Sequence, residues 1–144
     1  MSFLLIEHAD VLVTMDAGRN EIVDGALLAK DNRIVHIDDS MAMHRYLHQH
    51  NITPDEVINA SGTVVLPGLI NCHHHLYQTL TRSLGTSAGL SLFDWLKTLY
   101  PIWGQMDAES VYTSAKLGLI ELILSGATTV ADHLYLFPNG SRLD

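Results

Sequence analysis

An apolar run that ends in three adjacent histidines is the feature that most constrains this chain. Residues 66–75 read LPGLINCHHH, the pattern of a buried strand that carries polar side chains at its C-terminal tip. Side chains alternate between the two faces of a strand, so His73 and His75 would share one face while His74 points to the other. Two imidazoles on one face can bind a single metal ion, at about 2.0–2.1 Å from each nitrogen. The alternative interpretation is a polar loop with three solvent-exposed histidines.

Composition narrows the class of protein. The 144 residues are 47% hydrophobic and 17% charged, which is typical of a globular protein. The net charge of -8 argues against binding to nucleic acid or to an anionic membrane, because both need a basic surface. No apolar run reaches the length of a membrane-spanning helix, and the N-terminus lacks the basic start of a secretory signal. Cys72 is the single cysteine and has no internal disulfide partner, so we expect a cytoplasmic location.

The first part of the chain, residues 1–65, is predicted to be rich in β-structure. Strands are predicted at residues 9–16, 21–30, 33–38, 56–60 and 63–66, and a helix at residues 41–50. His44 and His48 are four residues apart on that helix, a spacing that could hold zinc. No third ligand lies nearby in sequence, so both are interpreted as surface histidines. His8 and His36 are likewise interpreted as structural or exposed.

The second part, residues 66–144, is predicted to alternate strands with helices. A short helix is expected at residues 91–99. A longer helix is expected at residues 108–124, where Asp107 would cap its start and Gly126 would end it. A strand is expected at residues 127–132. Two strands joined by a helical crossover form a βαβ unit, which predicts a parallel sheet and an α/β fold. Cys72 is expected to be packed within the first of these strands.

Residues 66–82, LPGLINCHHHLYQTLTR, resemble the first barrel strand of the amidohydrolase superfamily. They resemble the branch of that superfamily that deaminates purines, cytosine and s-triazines. Within this branch they are most similar to the 8-oxoguanine deaminases and next most similar to the hydroxyatrazine-type aminohydrolases. The resemblance covers nearly the whole chain, up to residues 131–138. It implies the start of a metal-dependent (β/α)8 TIM barrel, preceded by part of a small β-sandwich. Such a barrel typically takes about 250 residues, so the barrel would be incomplete and the chain an N-terminal fragment.

The resemblance also implies a set of site residues. His73 and His75 would be the first two ligands of one Zn²⁺ or Fe²⁺ ion, and the family's later ligands and proton shuttle are not in this chain. Gln78 would hydrogen-bond the substrate, because an amide offers both a donor and an acceptor to a ring edge. Trp95 would stack on the heterocycle, and His133 would line the pocket or support a ligand. For these three residues the alternatives are an exposed glutamine, a core tryptophan and a satisfied core histidine.

The implied activity is hydrolytic deamination of a purine-type heterocycle. A metal ion lowers the pKa of a bound water toward neutrality, which suits attack on an electron-poor ring carbon. The favoured reaction converts 8-oxoguanine and water to urate and ammonia in a full-length enzyme that is expected to be a homo-oligomer. The 144-residue chain alone is expected to be inactive. The alternatives are an s-triazine or other nucleobase aminohydrolase and, from a different class, a small metal-binding module without catalysis.

Overall fold

The computed structural model describes residues 2–142 and divides the chain into two compact units, Met1–Pro67 and Gly68–Asp144. Leu143 and Asp144, the last two residues of the predicted second domain, lie outside the described residues. None of the helices within residues 2–142 is both long and apolar enough to cross a membrane.

The first unit is built on one mixed sheet of five strands. They are β1 (Phe3–Val13), β2 (Glu21–Lys30), β3 (Arg33–Asp39), β4 (Glu56–Asn59) and β5 (Val64–Val65). The order is β3-β2-β1-β4, and β5 also pairs with β1. The pairs β1–β2 and β2–β3 are antiparallel, whereas β4 and β5 run parallel to β1. The central strand β1 therefore organises the unit.

Strand β1 begins at Phe3, six residues before the predicted start at residue 9. Leu5 pairs with Leu28 in β2 and Val57 in β4 and is almost completely buried. The prediction was wrong because Glu7 and His8 interrupt the apolar pattern. The structure explains that interruption, because the β1–β2 register shifts at this point and forms a bulge.

Helix α1 (Ser40–Gln49) covers one face of this sheet. The side chain of Asp39 caps the helix by accepting a hydrogen bond from the backbone N–H of Ala42 at 2.7 Å. Met43 and Leu47 lie one turn apart on the buried side of the helix and pack in one cluster with the apolar side chains of β1 and β2. The helix is held by this apolar stripe.

The second unit is a βαβ arrangement. Strands β6 (Leu69–His74) and β7 (Ala127–Asp132) pair in parallel, and α2 (Leu92–Trp103) and α3 (Ala108–Leu124) lie between them in sequence. A 3₁₀ helix, Leu76–Thr81, directly follows the histidine cluster. The predicted bounds of α3 and β7 and the parallel pairing are confirmed, and so is the α/β class. Within the described residues this sheet has two strands, so the barrel stays a prediction.

Helix α2 starts as predicted and ends later than predicted. Ser91 caps it, but the helix runs through Pro101 to Trp103 rather than stopping at residue 99. Proline removes one backbone hydrogen bond from a helix interior. Leu99 and Trp103 are four residues apart on one face, both are buried, and the indole N–H of Trp103 donates to the Thr81 hydroxyl at 2.9 Å. Burial of this face stabilises the last turn and offsets the backbone hydrogen bond that is missing at Pro101.

Close packing of α3 fixes the 3₁₀ helix. The buried hydroxyl of Ser114 donates to the carbonyl of Leu76 at 2.8 Å and accepts from the N–H of Leu80 at 3.2 Å. One turn further along α3, Gly118 leaves no room for a side chain. A Cβ atom there would lie 2.8 Å from Thr79 Oγ1 and 2.9 Å from Leu76 Cδ2. The position of this helical turn therefore depends on a glycine in α3.

We predict that Gly118→Ala destabilises the protein. In a helix, replacing glycine by alanine normally raises stability by about 1 kcal/mol. Here the added methyl group should overpack the contact and cost about 1–3 kcal/mol, which reverses the usual sign. Urea unfolding measures the difference, with Gly85→Ala as the control, because a Cβ at Gly85 meets no atom within 4 Å. A Gly118→Ala protein at least as stable as the wild type would contradict this packing.

Candidate metal centre

The side chains of His73 and His75 meet at the tip of β6. Their Nε2 atoms are 3.3 Å apart, and the two rings are nearly perpendicular, at 89°. The register of β6 against β7 shifts between Asn71 and His74, so the strand is locally irregular just before its end. The two rings nevertheless lie on the same side of the strand, as the alternation of side chains predicts.

A backbone hydrogen bond orients the ring of His75. Its Nδ1 atom lies 2.9 Å from the carbonyl oxygen of His133, the residue that follows β7. A carbonyl only accepts hydrogen bonds, so Nδ1 carries the proton and Nε2 of the neutral ring presents its lone pair. Histidines that bind metals are typically held in this way by a second hydrogen bond. The ring of His75 is therefore fixed with Nε2 directed toward His73.

The separation of the two Nε2 atoms fits a shared metal ion. Two nitrogens at about 2.0–2.1 Å from a tetrahedral zinc ion lie about 3.3–3.4 Å from each other. The observed distance of 3.3 Å agrees with this geometry. The same separation allows a hydrogen bond between the two imidazoles, so the pair can be held close together before an ion binds. The two residues fit the donor set of a divalent metal such as zinc.

The side chain of His74 points away from this pair, toward α3. A Cβ atom at Gly118 in α3 would lie 3.6 Å from Cε1 of His74. Nδ1 of His74 is buried and has no hydrogen-bond partner among the described residues. His74 therefore packs against the helix layer, while its two neighbours form the candidate metal centre.

Gln78 lies beside the histidine pair on the 3₁₀ helix. Its Nε2 donates to the hydroxyl of Tyr77 at 2.9 Å and to that of Tyr135 at 3.4 Å. Gln78 and the histidines border one open depression of about 260 Å³. The residues that line it are His73, His74, His75, Gln78, Thr79 and Arg82. The structure thus brings three predicted site residues, His73, His75 and Gln78, to one surface.

Two tyrosines near the site were not predicted from the sequence. The ring of Tyr135 lies 5.5 Å from that of His75, edge to face, and 5.6 Å from that of Tyr77. Burial raises the pKa of Tyr77, and the nearby Tyr135 hydroxyl raises it further. The phenol of Tyr77 therefore stays protonated and can donate a hydrogen bond. The available signal was the position of Tyr135, two residues after His133 at the tip of a strand.

Of the two other predicted site residues, His133 lies beside the histidine pair and Trp95 does not. The ring of His133 lies 5.4 Å from the ring of His75, and its carbonyl holds that ring in place. Trp95 is half-buried and packs against Trp103, with ring centroids 5.3 Å apart. It belongs to an apolar cluster around Trp103 and does not line the depression. Contact of Trp95 with a substrate stays a prediction.

Arg82 and Cys72 complete the surroundings of the site. The guanidinium of Arg82 makes two hydrogen bonds to the carboxylate of Glu121 in α3, so it is paired within the protein. Cys72 is exposed, and the expectation that it is packed was wrong. The reason is that β6 has one partner strand among the described residues, which leaves much of its surface uncovered.

A larger cavity of about 500 Å³ lies along the other side of the 3₁₀ helix. Its walls include Tyr77, Val111 and Asp132, but not the histidine pair. The carboxylate of Asp132 accepts a hydrogen bond from the N–H of Leu76 at 2.8 Å, which gives it a local structural role. The smaller depression is therefore the candidate site, because it contains the histidine pair and the larger cavity does not.

The second unit combines a parallel βαβ arrangement with two histidines at a strand tip whose separation fits a shared metal ion. The chain belongs to the amidohydrolase family, whose family model matches residues 64–139, just over half of the sequence. The match includes β6, the 3₁₀ helix, both helices of the crossover and β7. It confirms the family that the motif at residues 66–82 indicates.

Two of the curated relatives of this chain are deaminases by name. The chain is 56% identical over 82 residues to 8-oxoguanine deaminase from Pseudomonas aeruginosa, a match that covers 57% of the chain and 18% of that enzyme. It is 37% identical over 130 residues to 5-methylthioadenosine/S-adenosylhomocysteine deaminase from Halothermothrix orenii, covering 90% of the chain and 29% of that enzyme. The chain therefore spans less than a third of the length of these relatives.

Solved structures agree on the fold. Atrazine chlorohydrolase from Arthrobacter aurescens TC1, complexed with zinc, matches with a TM-score of 0.80 at 27% identity. That match covers 94% of this chain and 29% of the other. An adenosine deaminase from Xanthomonas campestris with bound zinc matches with a TM-score of 0.78 at 24% identity, over 92% of this chain and 29% of the other, and supports the fold alone.

We predict that Glu121→Gln lowers the melting temperature at neutral pH but not in acid. Arg82 lowers the pKa of Glu121, so the folded protein favours the carboxylate. This stabilisation is present above the ordinary pKa of 4.5 and is lost as the pH falls through the lower pKa of the folded state. The measurement is the difference in melting temperature between wild type and variant from pH 7 downward.

Glu56→Gln, which makes the same change of charge on strand β4, is the control for this experiment. For Glu56→Gln, the difference in melting temperature from the wild type should not appear at pH 7 and disappear in acid. If Glu121→Gln behaves like Glu56→Gln at every pH, the Arg82–Glu121 pair does not stabilise the fold.

Proposed function

We propose that this chain provides the first metal ligands and part of the substrate pocket of a hydrolytic deaminase of purine-type heterocycles. The observation that carries the proposal is the convergence of Nε2 of His73 and Nε2 of His75 at 3.3 Å beside the amide of Gln78. Membership of the amidohydrolase family supports a hydrolase that acts on C–N bonds. The favoured substrate is 8-oxoguanine, because the deaminase of that name is 56% identical over 82 residues.

His73 and His75 would hold one divalent ion, zinc by preference over iron. When bound, the ion acts as a Lewis acid and lowers the pKa of water for attack on a ring carbon. The carbonyl of His133 keeps the proton of His75 on Nδ1, so Nε2 is ready to bind without losing a proton. Two imidazoles fall short of the three protein ligands that a catalytic zinc usually has. We therefore propose that further ligands come from later strands, and that the 144-residue chain alone is inactive.

The second unit would then be the beginning of a (β/α)8 barrel, and the first unit a part of the small β-sandwich that precedes it. In such barrels the functional residues lie at the C-terminal ends of the strands. His75 and His133 both follow directly after the C-terminal ends of β6 and β7, respectively. This position supports the assignment of the second unit to the predicted barrel domain.

Gln78 would bind the edge of the heterocycle. Its Nε2 is already engaged by the hydroxyls of Tyr77 and Tyr135, so Oε1 is the atom that would accept a hydrogen bond from a ring N–H. With Nε2 turned toward the two tyrosine hydroxyls, Oε1 of the amide is left for the substrate. Because an amide held in one orientation discriminates donors from acceptors, Gln78 would contribute to specificity as well as to affinity.

An s-triazine is the second candidate substrate. The chain is 39% identical over 82 residues to hydroxydechloroatrazine ethylaminohydrolase from Pseudomonas, and the zinc-bound atrazine chlorohydrolase supports the same class. A non-catalytic metal-binding module is not favoured, because the relatives are enzymes. The partners would be a small heterocycle, water and further copies of the protein, and we propose a cytoplasmic location.

His73→Ala and His75→Ala should each remove the metal and abolish turnover, because neither ligand has a substitute on that strand. His74→Ala should keep the metal, since its side chain faces α3. The measurement is metal content together with ammonia release from 8-oxoguanine. The proteins are expressed from the natural gene, so that any sequence encoded beyond Asp144 is present. Loss of the metal in His74→Ala but not in His75→Ala would show that the assignment of faces is wrong.

Gln78→Ala should retain the metal and lower kcat/KM for the heterocycle. The decrease should correspond to a loss of about 1–3 kcal/mol in transition-state binding, the cost of a buried polar group left unpaired. Thr98→Ala, on α2 and outside the lining of the depression, is the control and should leave kcat/KM unchanged. Assays with 8-oxoguanine, a hydroxy-s-triazine and adenosine identify the preferred ring. Equal kcat/KM for Gln78→Ala and wild type with every ring would exclude Gln78 from substrate binding.

A further inference from the structure

Three side chains of the first unit meet where β1 faces the start of α1. Glu7 and His8 are adjacent in β1, and His44 lies in α1. Each offers a metal-binding atom, and these atoms all lie within 4.8 Å of one another. His8 and His44 are 36 residues apart, so the sequence did not reveal this cluster.

An adjacent carboxylate holds the ring of His8. Its Nδ1 lies 2.9 Å from Oδ1 of Asp24 in β2. The ionised carboxylate accepts the hydrogen bond from Nδ1, so Nε2 is the nitrogen of His8 that is left for a metal. A carboxylate that holds the outer nitrogen of an imidazole is a recurring support of metal-binding histidines.

The contact between Glu7 and His44 is not that of a simple hydrogen-bonded pair. Oε2 of Glu7 lies 3.0 Å from Nε2 of His44, close enough for an ion pair if the ring is protonated. This oxygen is buried and has no hydrogen-bond partner among the described residues. An unsatisfied buried carboxylate oxygen is costly. A cation that binds both atoms side by side would remove this cost.

The backbone at the cluster is held in an uncommon conformation. His8 has φ 59° and Asp24 has φ 50°, the left-handed region that favours glycine. The buried hydroxyl of Ser40 accepts from the N–H of His8 at 3.0 Å and donates to the carbonyl of Asp24 at 2.8 Å. Ser40 is also the first residue of α1, which carries His44 one turn later. One hydroxyl therefore ties together β1 and α1, which carry the cluster, and β2, which carries Asp24.

We propose that Glu7, His8 and His44 form a second divalent metal site, of the zinc class, with Asp24 as the residue that orients His8. Two imidazoles and one carboxylate suit Zn²⁺ and its transition-metal neighbours better than Ca²⁺ or Mg²⁺, which prefer oxygen ligands. The site is in the first unit and uses none of the residues of the His73–His75 pair. Its ion would join α1 to β1 and stabilise the first unit.

The test is zinc binding to the tag-free protein, expressed from the natural gene with His73→Ala and His75→Ala, so that the first pair does not contribute. Titration calorimetry should show one saturable Zn²⁺ site, and Zn²⁺ should raise the melting temperature. Adding His44→Ala should weaken binding by at least tenfold and remove the thermal shift. Asp24→Asn should weaken binding by about 10–100-fold, the usual effect of losing a support of a ligand.

His48→Ala is the matched control, because it removes another exposed histidine from the same helix. It should bind Zn²⁺ as the parent does. Alanine suits the exposed helical position of His44, so that variant should fold, and its melting temperature without zinc checks this. Glu7→Gln provides a second variant that should also bind more weakly. Absence of saturable Zn²⁺ binding in the parent, or equal affinity in the His44→Ala and His48→Ala proteins, would overturn the proposal.

Discussion

The candidate metal centre depends on one hydrogen bond between the ends of two parallel strands. Pairing of β6 with β7 brings the carbonyl of His133 to within 2.9 Å of Nδ1 of His75. That bond selects the tautomer of His75 and directs Nε2 toward His73. The N–H of His133 in turn donates to the carbonyl of His74 at 2.9 Å. The backbone of His133 therefore holds the tip of β6 at two points, the carbonyl of His74 and the ring of His75.

The segment after the histidines is held just as closely. The carboxylate of Asp132 binds the N–H of Leu76, and the hydroxyl of Ser114 binds its carbonyl. Gly118 permits α3 to approach this turn. Gln78 is consequently carried on a short helix that is fixed at its start by β7 and along its side by α3. Placement of the amide beside the histidines is a result of packing in the whole βαβ unit.

Local signals allowed much of the second unit to be predicted. The bounds of α3 and β7 follow from the cap at Asp107 and from Gly126, both of which act within a few residues. The same-face position of His73 and His75 follows from strand alternation. Contacts between distant segments were not predictable: the bulge at His8 needs Asp24 and Ser40, and Tyr135 reaches Gln78 only after β6 and β7 pair. Helix α2 passes Pro101 because burial of Trp103, a tertiary effect, outweighs a local signal.

A zinc-anomalous crystal structure of the metal-loaded protein tests the central claim most directly. We expect an ion at about 2.0–2.1 Å from Nε2 of both His73 and His75, with Nδ1 of His75 still bound to the carbonyl of His133. Coordination through Nδ1 of His75, or an ion bound by His74 instead, would contradict it.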